Sequence, residues 1–383
     1  MKIRTERKAL ADTIQWVAQA IPKKPQAPAL SGIRITAADG ALTLAAFDYD
    51  AGHTATIPAE VLTEGDVLVS GRYLLMIASG LRGDEAELVL DGQLTIKSGR
   101  STYRMQPMQL DEFPTLPTFS GRVGVIDADA LTRIVGVATG PVDDDAVYEE
   151  TRGIHLEASE HAGSNALWAV GIDGGARSIH AAASTWSQDA ALSIDLPSSS
   201  LTAAVKGMTG AVEIGHTDGT LSLRDNARTV TLRSYALAKS RSNWRTIMDR
   251  AADGTVASVT TTAKDLRTAL TRAAAFGDDG RESYVGLIVE PDSISVRAHG
   301  AEDVVLGEDV LEGEMESEET VWFGINAGLL GLALGALGDA QVGIGFATTG
   351  CLPSGKPLYI WPIDRDDVQI LVLPRTWMGE TPA

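Results

Sequence analysis

The sequence predicts an α+β fold of three tandem copies of one domain, each with two helices packed on antiparallel sheets, because three features recur in the same order. The first is an amphipathic helix, the second a glycine leading an alternating strand, and the third a strand that feeds a second, shorter helix. At 383 residues the chain exceeds what one hydrophobic core usually serves. The three copies are placed at residues 1–120, 121–250 and 251–383.

Apolar residues at helical spacing give the first helix of each copy: Leu10, Ile14 and Val17 within Glu6–Gln19, Leu131, Ile134 and Val135 within Asp127–Thr139, and Leu266, Leu270 and Ala274 within Thr262–Phe276. Thr5, Asp127 and Thr262 stand where an N-cap side chain would accept from the first free backbone N–H groups. Gly32, Gly153 and Gly286, separated by 121 and 133 residues, each lead an alternating strand such as "SGIRITAADGALTLAAFD". A strand and short helix then follow in "VLVSGRYLLMIASGL", "LSIDLPSSSLTAAVKGM" and "VWFGINAGLLGLALGAL". Asp91-Gly92 and Asp218-Gly219 are matching hairpin turns, and the third copy closes with "PLYIWPIDRDDVQILVLPR". Three such units in tandem make an arc, whose open sheet edges invite closure by a second copy.

The chain carries a formal net charge of -19, unevenly distributed: -2 over residues 1–120, -4 over 121–250 and -13 over 251–383. The run Glu302–Glu319 has no Lys or Arg and belongs on a solvated face. Cys351 is the lone cysteine, which excludes an intrachain disulfide and a cysteine-based zinc site and fits the cytoplasm. The N-terminal residues lack the continuous apolar core of a signal peptide. "AGLLGLALGALG", Ala327 to Gly338, falls short of the ~20 residues a bilayer needs and reads as a buried helix.

Four other signals carry no catalysis. "GCLPSGKP" nearly fits a phosphate-binding loop, but Pro357 replaces the hydroxyl residue and a strand pattern follows. Asp143–Asp145 and the acids of "IDRDDV" lack calcium-loop spacing. The six histidines are dispersed, and no nucleophile elbow accompanies them. The chain reads as a non-enzyme without cofactor or metal.

Taken in order, "KKPQAPALSGIRITAADGALTLAAFDYDAG", "IPAEV", "SGRSTYRM" with "DEFPTLP", "VWFGINAGLLGLALGAL" and "DRDDVQILVLPR" resemble the bacterial DNA polymerase III beta subunit, the DNA sliding clamp family, from Met1 to Trp377. The resemblance implies a homodimer closing into a six-domain ring around duplex DNA without reading its sequence. It also implies a processivity factor that tethers the replicative polymerase and takes polymerase and clamp-loader peptides. The alternative is a clamp-fold regulator that binds those peptides without encircling DNA. Its motivation is the sixth helix, Asn326–Leu337, which has no cation, and the acidic loop "PVDDDAVYEETRG".

On that resemblance the DNA-facing residues are Arg7, Lys8, Lys23, Lys24, Arg72, Arg82, Arg133, Lys206, Lys264, Arg267 and Arg272, on the helices and their ends. A ring that slides needs diffuse phosphate attraction rather than base contacts. Lys23 and Lys24 match a basic pair that follows the family's first helix; the plainer reading is a favourable charge at a helix C-terminus. The partner-peptide groove would comprise Gly153, Leu156, Asp173, Gly174, Arg177, Arg245, Ile247, Val372, Leu373 and Pro374, against the plainer reading of core packing. Gly175 and Ala176 stand where the family usually has His-Arg, and Pro374 is followed by Arg375, Thr376 and Trp377 instead of the usual tail. The subunit contact would set Tyr103 and Met105 against Ala275 and Phe276.

Overall fold

Among the described residues strands run directly into five of the seven helices, and the same strand-to-helix step recurs in each third. In the computed structural model, which describes residues 1–175, 177–235, 243–276, 284–299 and 305–377, the helices are α1 (Arg7–Val17), α2 (Gly71–Gly80), α3 (Ala128–Thr139), α4 (Ser198–Val205), α5 (Trp244–Asp253), α6 (Ala263–Ala274) and α7 (Ala327–Leu337). Strands Lys2–Glu6, Arg122–Asp127 and Ala257–Thr262 lead into α1, α3 and α6, while Gly65–Ser70 and Val321–Asn326 lead into α2 and α7.

Two compact units form: Met1–Thr132 with Trp186–Ala236, and Arg133–Thr185 with Leu237–Ala383. In the first unit, one sheet runs in the order Glu60–Thr63, Lys2–Glu6, Glu85–Asp91, Gln93–Ser98, Ser101–Met105, so Ser101–Met105 is an edge strand. A larger sheet is continuous through Arg228–Arg233 paired with Ala51–Pro58, which joins strands from the first and second sequence repeats. The sheet pairing explains why the compact unit does not end where the repeat ends. Asp218 (φ 50) and Gly219 (φ 72) form the left-handed turn between Ala211–Thr217 and Thr220–Arg224, as the dipeptide predicts. Trp16 of α1 is buried; its Nε1 donates to the Lys206 carbonyl at 3.0 Å and its ring lies 4.6 Å from His53.

In the second unit, Ile154–His161, Ser164–Ile172, Ser178–Thr185, Val368–Val372, Leu358–Pro362, Gln341–Phe346 and Ala257–Thr262 form consecutive neighbours in one antiparallel sheet. α5 packs across it, with Trp244 and Met248 in a cluster with Trp168, Ile179 and Leu371. Gly171 is required by close approach, since a Cβ there would lie 1.8 Å from the Ala138 carbonyl oxygen of α3. A second sheet runs Val305–Glu312, Ser293–His299, Tyr284–Glu290, Val321–Asn326, Gly350–Cys351. Val305–Glu312 is its edge, and Val305, Leu306 and Val310 are exposed along it.

The caps only partly follow expectation. Asp127 caps α3, its Oδ1 accepting from the N–H groups of Asp129 (3.0 Å) and Ala130 (3.2 Å). Thr5 does not cap α1: it is a strand residue whose hydroxyl donates to the Pro58 carbonyl, and Glu6 holds the N-cap position. Thr262 holds the N-cap position of α6, but its hydroxyl accepts from Gln341 Nε2 instead. α7 is only partly the buried helix its composition predicts, burying six of its eleven residues and leaving Leu332 46% exposed, and it is capped by Asn326 Oδ1 accepting from Leu329 N–H at 3.0 Å. No helix among the described residues is long and apolar enough to cross a membrane.

Candidate functional site

Six of the expected cations lie exposed in the first unit or its helix ends: Lys8, Lys23, Lys24, Arg72, Arg82 and Lys206. They make no ion pair with any described residue. Lys23 and Lys24 sit beyond the 3-10 turn Ala18–Ala20 that ends α1, outside its last turn. Arg7 is half-buried, and its Nε donates to the Gly83 carbonyl at 3.0 Å.

In the second unit the cations are mostly engaged. Lys264 pairs with Asp339 (3.4 Å) and Arg272 with Asp309 (3.0 Å), both on the surface, and Arg267 is half-buried. Arg133 departs from the expectation of a phosphate contact. Its Nη1 lies 2.7 Å from Asp367 Oδ2 and its Nη2 donates to the Ala183 carbonyl, so its guanidinium is committed inside the fold.

The expected groove residues separate into two groups. Gly153, Leu156, Val372 and Pro374 are buried, Leu156 and Val372 at 0% exposure, and act as core; Leu373 is half-buried, its N–H donating to the Arg177 carbonyl at 2.8 Å. Asp173, Gly174 and Arg177 instead line a cavity of about 730 Å³. Its apolar wall comes from Pro141, Val142, Tyr148, Leu329 and Leu332. Asp173 Oδ2 accepts from Gly175 N–H (3.0 Å) and faces Arg177 Nε at 3.3 Å.

Arg245 and Ile247 sit on α5. Arg245 Nε is 3.3 Å from Glu157 Oε1, and its guanidinium lies over the Trp244 ring at 4.3 Å; Ile247 is exposed. Glu157 Oε2 also accepts from Trp244 Nε1 at 3.1 Å and lies 3.5 Å from His155 Nε2. Hydrogen bonding from His155, then from Trp244, and the charge of Arg245 hold the Glu157 carboxyl at about 2.

Tyr103 and Met105 lie on the edge strand Ser101–Met105. Alternation turns Met105 into its own unit, at 7% exposure, and Tyr103 is half-buried with its hydroxyl 3.4 Å from the Gly80 carbonyl. Ala275 and Phe276 are exposed just past α6, Phe276 at 58%. Sequence reading missed Val147, Tyr148, Leu329 and Trp244. An apolar pair between carboxylates, "DAVYEE", was the available signal for the first two.

No group of three or more His, Cys, Asp or Glu side chains among the described residues is placed to hold a metal ion. Recurrent strand-to-helix units on antiparallel sheets define an α+β protein of repeated units. Residues 1–117 match the family model of the DNA polymerase III beta subunit, N-terminal domain. Over the rest of its length the chain is similar to the bacterial DNA polymerase III beta subunits, the beta sliding clamps. It is 32% identical over 158 residues to the beta sliding clamp of Streptomyces coelicolor, an alignment spanning 41% of this chain and 42% of that one. This match spans less than half of the relative's length. Against the beta sliding clamp of Bacillus subtilis the identity is 23%, over 98% of this chain and 100% of the relative. The crystal structure of the Thermotoga maritima DNA polymerase III beta subunit superposes with a TM-score of 0.85 at 22% identity, covering 98% of this chain and 100% of that one.

Proposed function

We propose that the chain is a DNA sliding clamp: a processivity factor that encircles duplex DNA and tethers the replicative polymerase. The observation that carries this reading is the set of exposed, unpaired cations at helix ends, above all Lys23 and Lys24, in a chain of net charge -19. Diffuse cations attract phosphate without fixing register, and acidic surface elsewhere repels DNA. Three domains at 1–120, 121–250 and 251–383 are supported by the recurrence of the strand-to-helix step at α1, α3 and α6. Two chains close the ring as a homodimer, an assignment supported by the edge strands Ser101–Met105 and Val305–Glu312 and the exposed Phe276. Polymerase and clamp-loader peptides dock beside Asp173, Gly174 and Arg177. The function needs no catalysis or cofactor of its own, and a lone cysteine suits action in the cytoplasm.

Light scattering over micromolar to nanomolar concentration tests the ring. A mass near twice that of the chain that survives dilution, with retention on nicked circular DNA and release on linearisation, is the expected result. A persistent monomer that is not retained assigns the chain to peptide binding without encirclement.

A further inference from the structure

The cavity beside α7 carries a chemical bias of its own. Its wall is apolar, and the loop from 140 to 152 holds Val147 and Tyr148 outward at 86% and 57% exposure. Those exposures are not the result of a slack loop. Ala146 N–H donates to the Asp143 carbonyl (3.1 Å), Thr151 N–H to the Tyr148 carbonyl (3.0 Å), and Arg152 Nε to the Ala146 carbonyl (2.7 Å). The same stretch carries Asp143, Asp144, Asp145, Glu149 and Glu150 against the single cation Arg152. Arg177, the other cation at the cavity, faces Asp173. The rim is therefore apolar beside a net negative field, which favours a cationic neighbour and repels phosphate.

We infer that this cavity selects a peptide whose large apolar side chain packs against Val142, Tyr148 and Leu329 and whose following residues are Lys or Arg, drawn by Asp143, Asp145 and Glu149. The inference rests on the peptide-docking reading above and adds the charge of the partner to it. Apolar burial supplies most of the affinity, and the carboxylates supply discrimination.

The test is fluorescence polarisation with the full chain and three fluorescein-labelled synthetic peptides, Ser-Leu-Ser-Leu-Phe followed by Lys-Lys, Ser-Ser or Glu-Glu. At about 50 mM salt the Lys-Lys peptide binds about 3- to 10-fold more tightly than the Ser-Ser peptide and the Glu-Glu peptide more weakly still; at about 0.5 M the differences shrink. The variant Asp143→Ser/Asp145→Ser/Glu149→Gln abolishes the advantage of the Lys-Lys peptide over the Ser-Ser peptide. Tyr148→Ser, at an exposed site, weakens all three peptides alike. Equal affinity for the three peptides overturns the charge selection and leaves peptide docking standing. Absence of binding by every peptide overturns both.

Discussion

Arg133 Nη1 lies 2.7 Å from Asp367 Oδ2, tying α3 to the start of strand Val368–Val372. The pair is partly shielded, with side-chain exposures of 33% and 24%, so removing one partner leaves a poorly solvated charge. Arg133→Ala is expected to lower unfolding stability by about 1–3 kcal/mol in urea titrations. Asp367→Asn should do the same, and the double variant should lose less than the sum of the two. DNA affinity and its salt dependence stay unchanged in Arg133→Gln. A clear fall in the salt slope would instead return Arg133 to the phosphate-contacting set.

Lys23 and Lys24 have the opposite character, exposed and unpaired. Lys23→Gln/Lys24→Gln leaves stability within about 0.5 kcal/mol. The slope of log affinity for duplex DNA against log salt falls by about 2, one for each phosphate contact removed. An unchanged slope would show that the pair serves only the helix end.

Glu157 should shape the acid limb of stability. Its folded carboxyl titrates at about 2, below the ordinary 4.5, so its contribution is complete above the unfolded value and is lost as pH falls from 4.5 towards 2. Partial exposure screens the site, leaving about 1–2 kcal/mol. Glu157→Gln therefore melts below the parent at about pH 7, and the two melting curves converge at about pH 2–3.

His53 and His180 are buried bases held neutral. Burial lowers both from 6.5 to about 4, while the carbonyls of Trp16 and Val137 accept from them at 3.2 and 3.3 Å. The unfolded chain takes up protons below 6.5 and the folded chain only near 4, so stability falls as pH drops through that window. NMR of the imidazole carbons should show neutral rings for both until the pH approaches 4. Titration of either ring near 6.5 would contradict its burial.

Phe276 is 58% exposed at the end of α6 and supports little of its own unit. Phe276→Ala should leave monomer stability nearly unchanged and make the proposed dimer dissociate at higher concentration, as read by light scattering. An unaltered mass profile would place the subunit contact elsewhere.

The helices were legible where a strong apolar stripe coincided with a local cap. Asp127–Thr139 became α3 almost residue for residue, since Leu131, Ile134 and Val135 are core and Asp127 caps its own chain. α5 was not legible: only Trp244 and Met248 of its ten residues are buried, too short a period to stand out, although Asn243 and Gly254 flank it as end signals. Thr5 fitted the cap pattern, but its partner, Pro58, belongs to another strand. The fate of Arg133 depended on Asp367, which is not readable from its own neighbours. The cavity joins Tyr148, Asp173 and Leu329, which are distant in sequence and meet only through the fold.

The edge strand Val305–Glu312 sets Val305, Leu306 and Val310 beside Glu308, Asp309 and Glu312. An open β-edge with apolar residues is a template for uncontrolled stacking of chains, and interleaved carboxylates act as gatekeepers against it. Replacing those carboxylates by neutral side chains removes the gate while the backbone edge remains. The edge proposed to mate with one copy of the chain then becomes the place where fibrillar aggregation would begin.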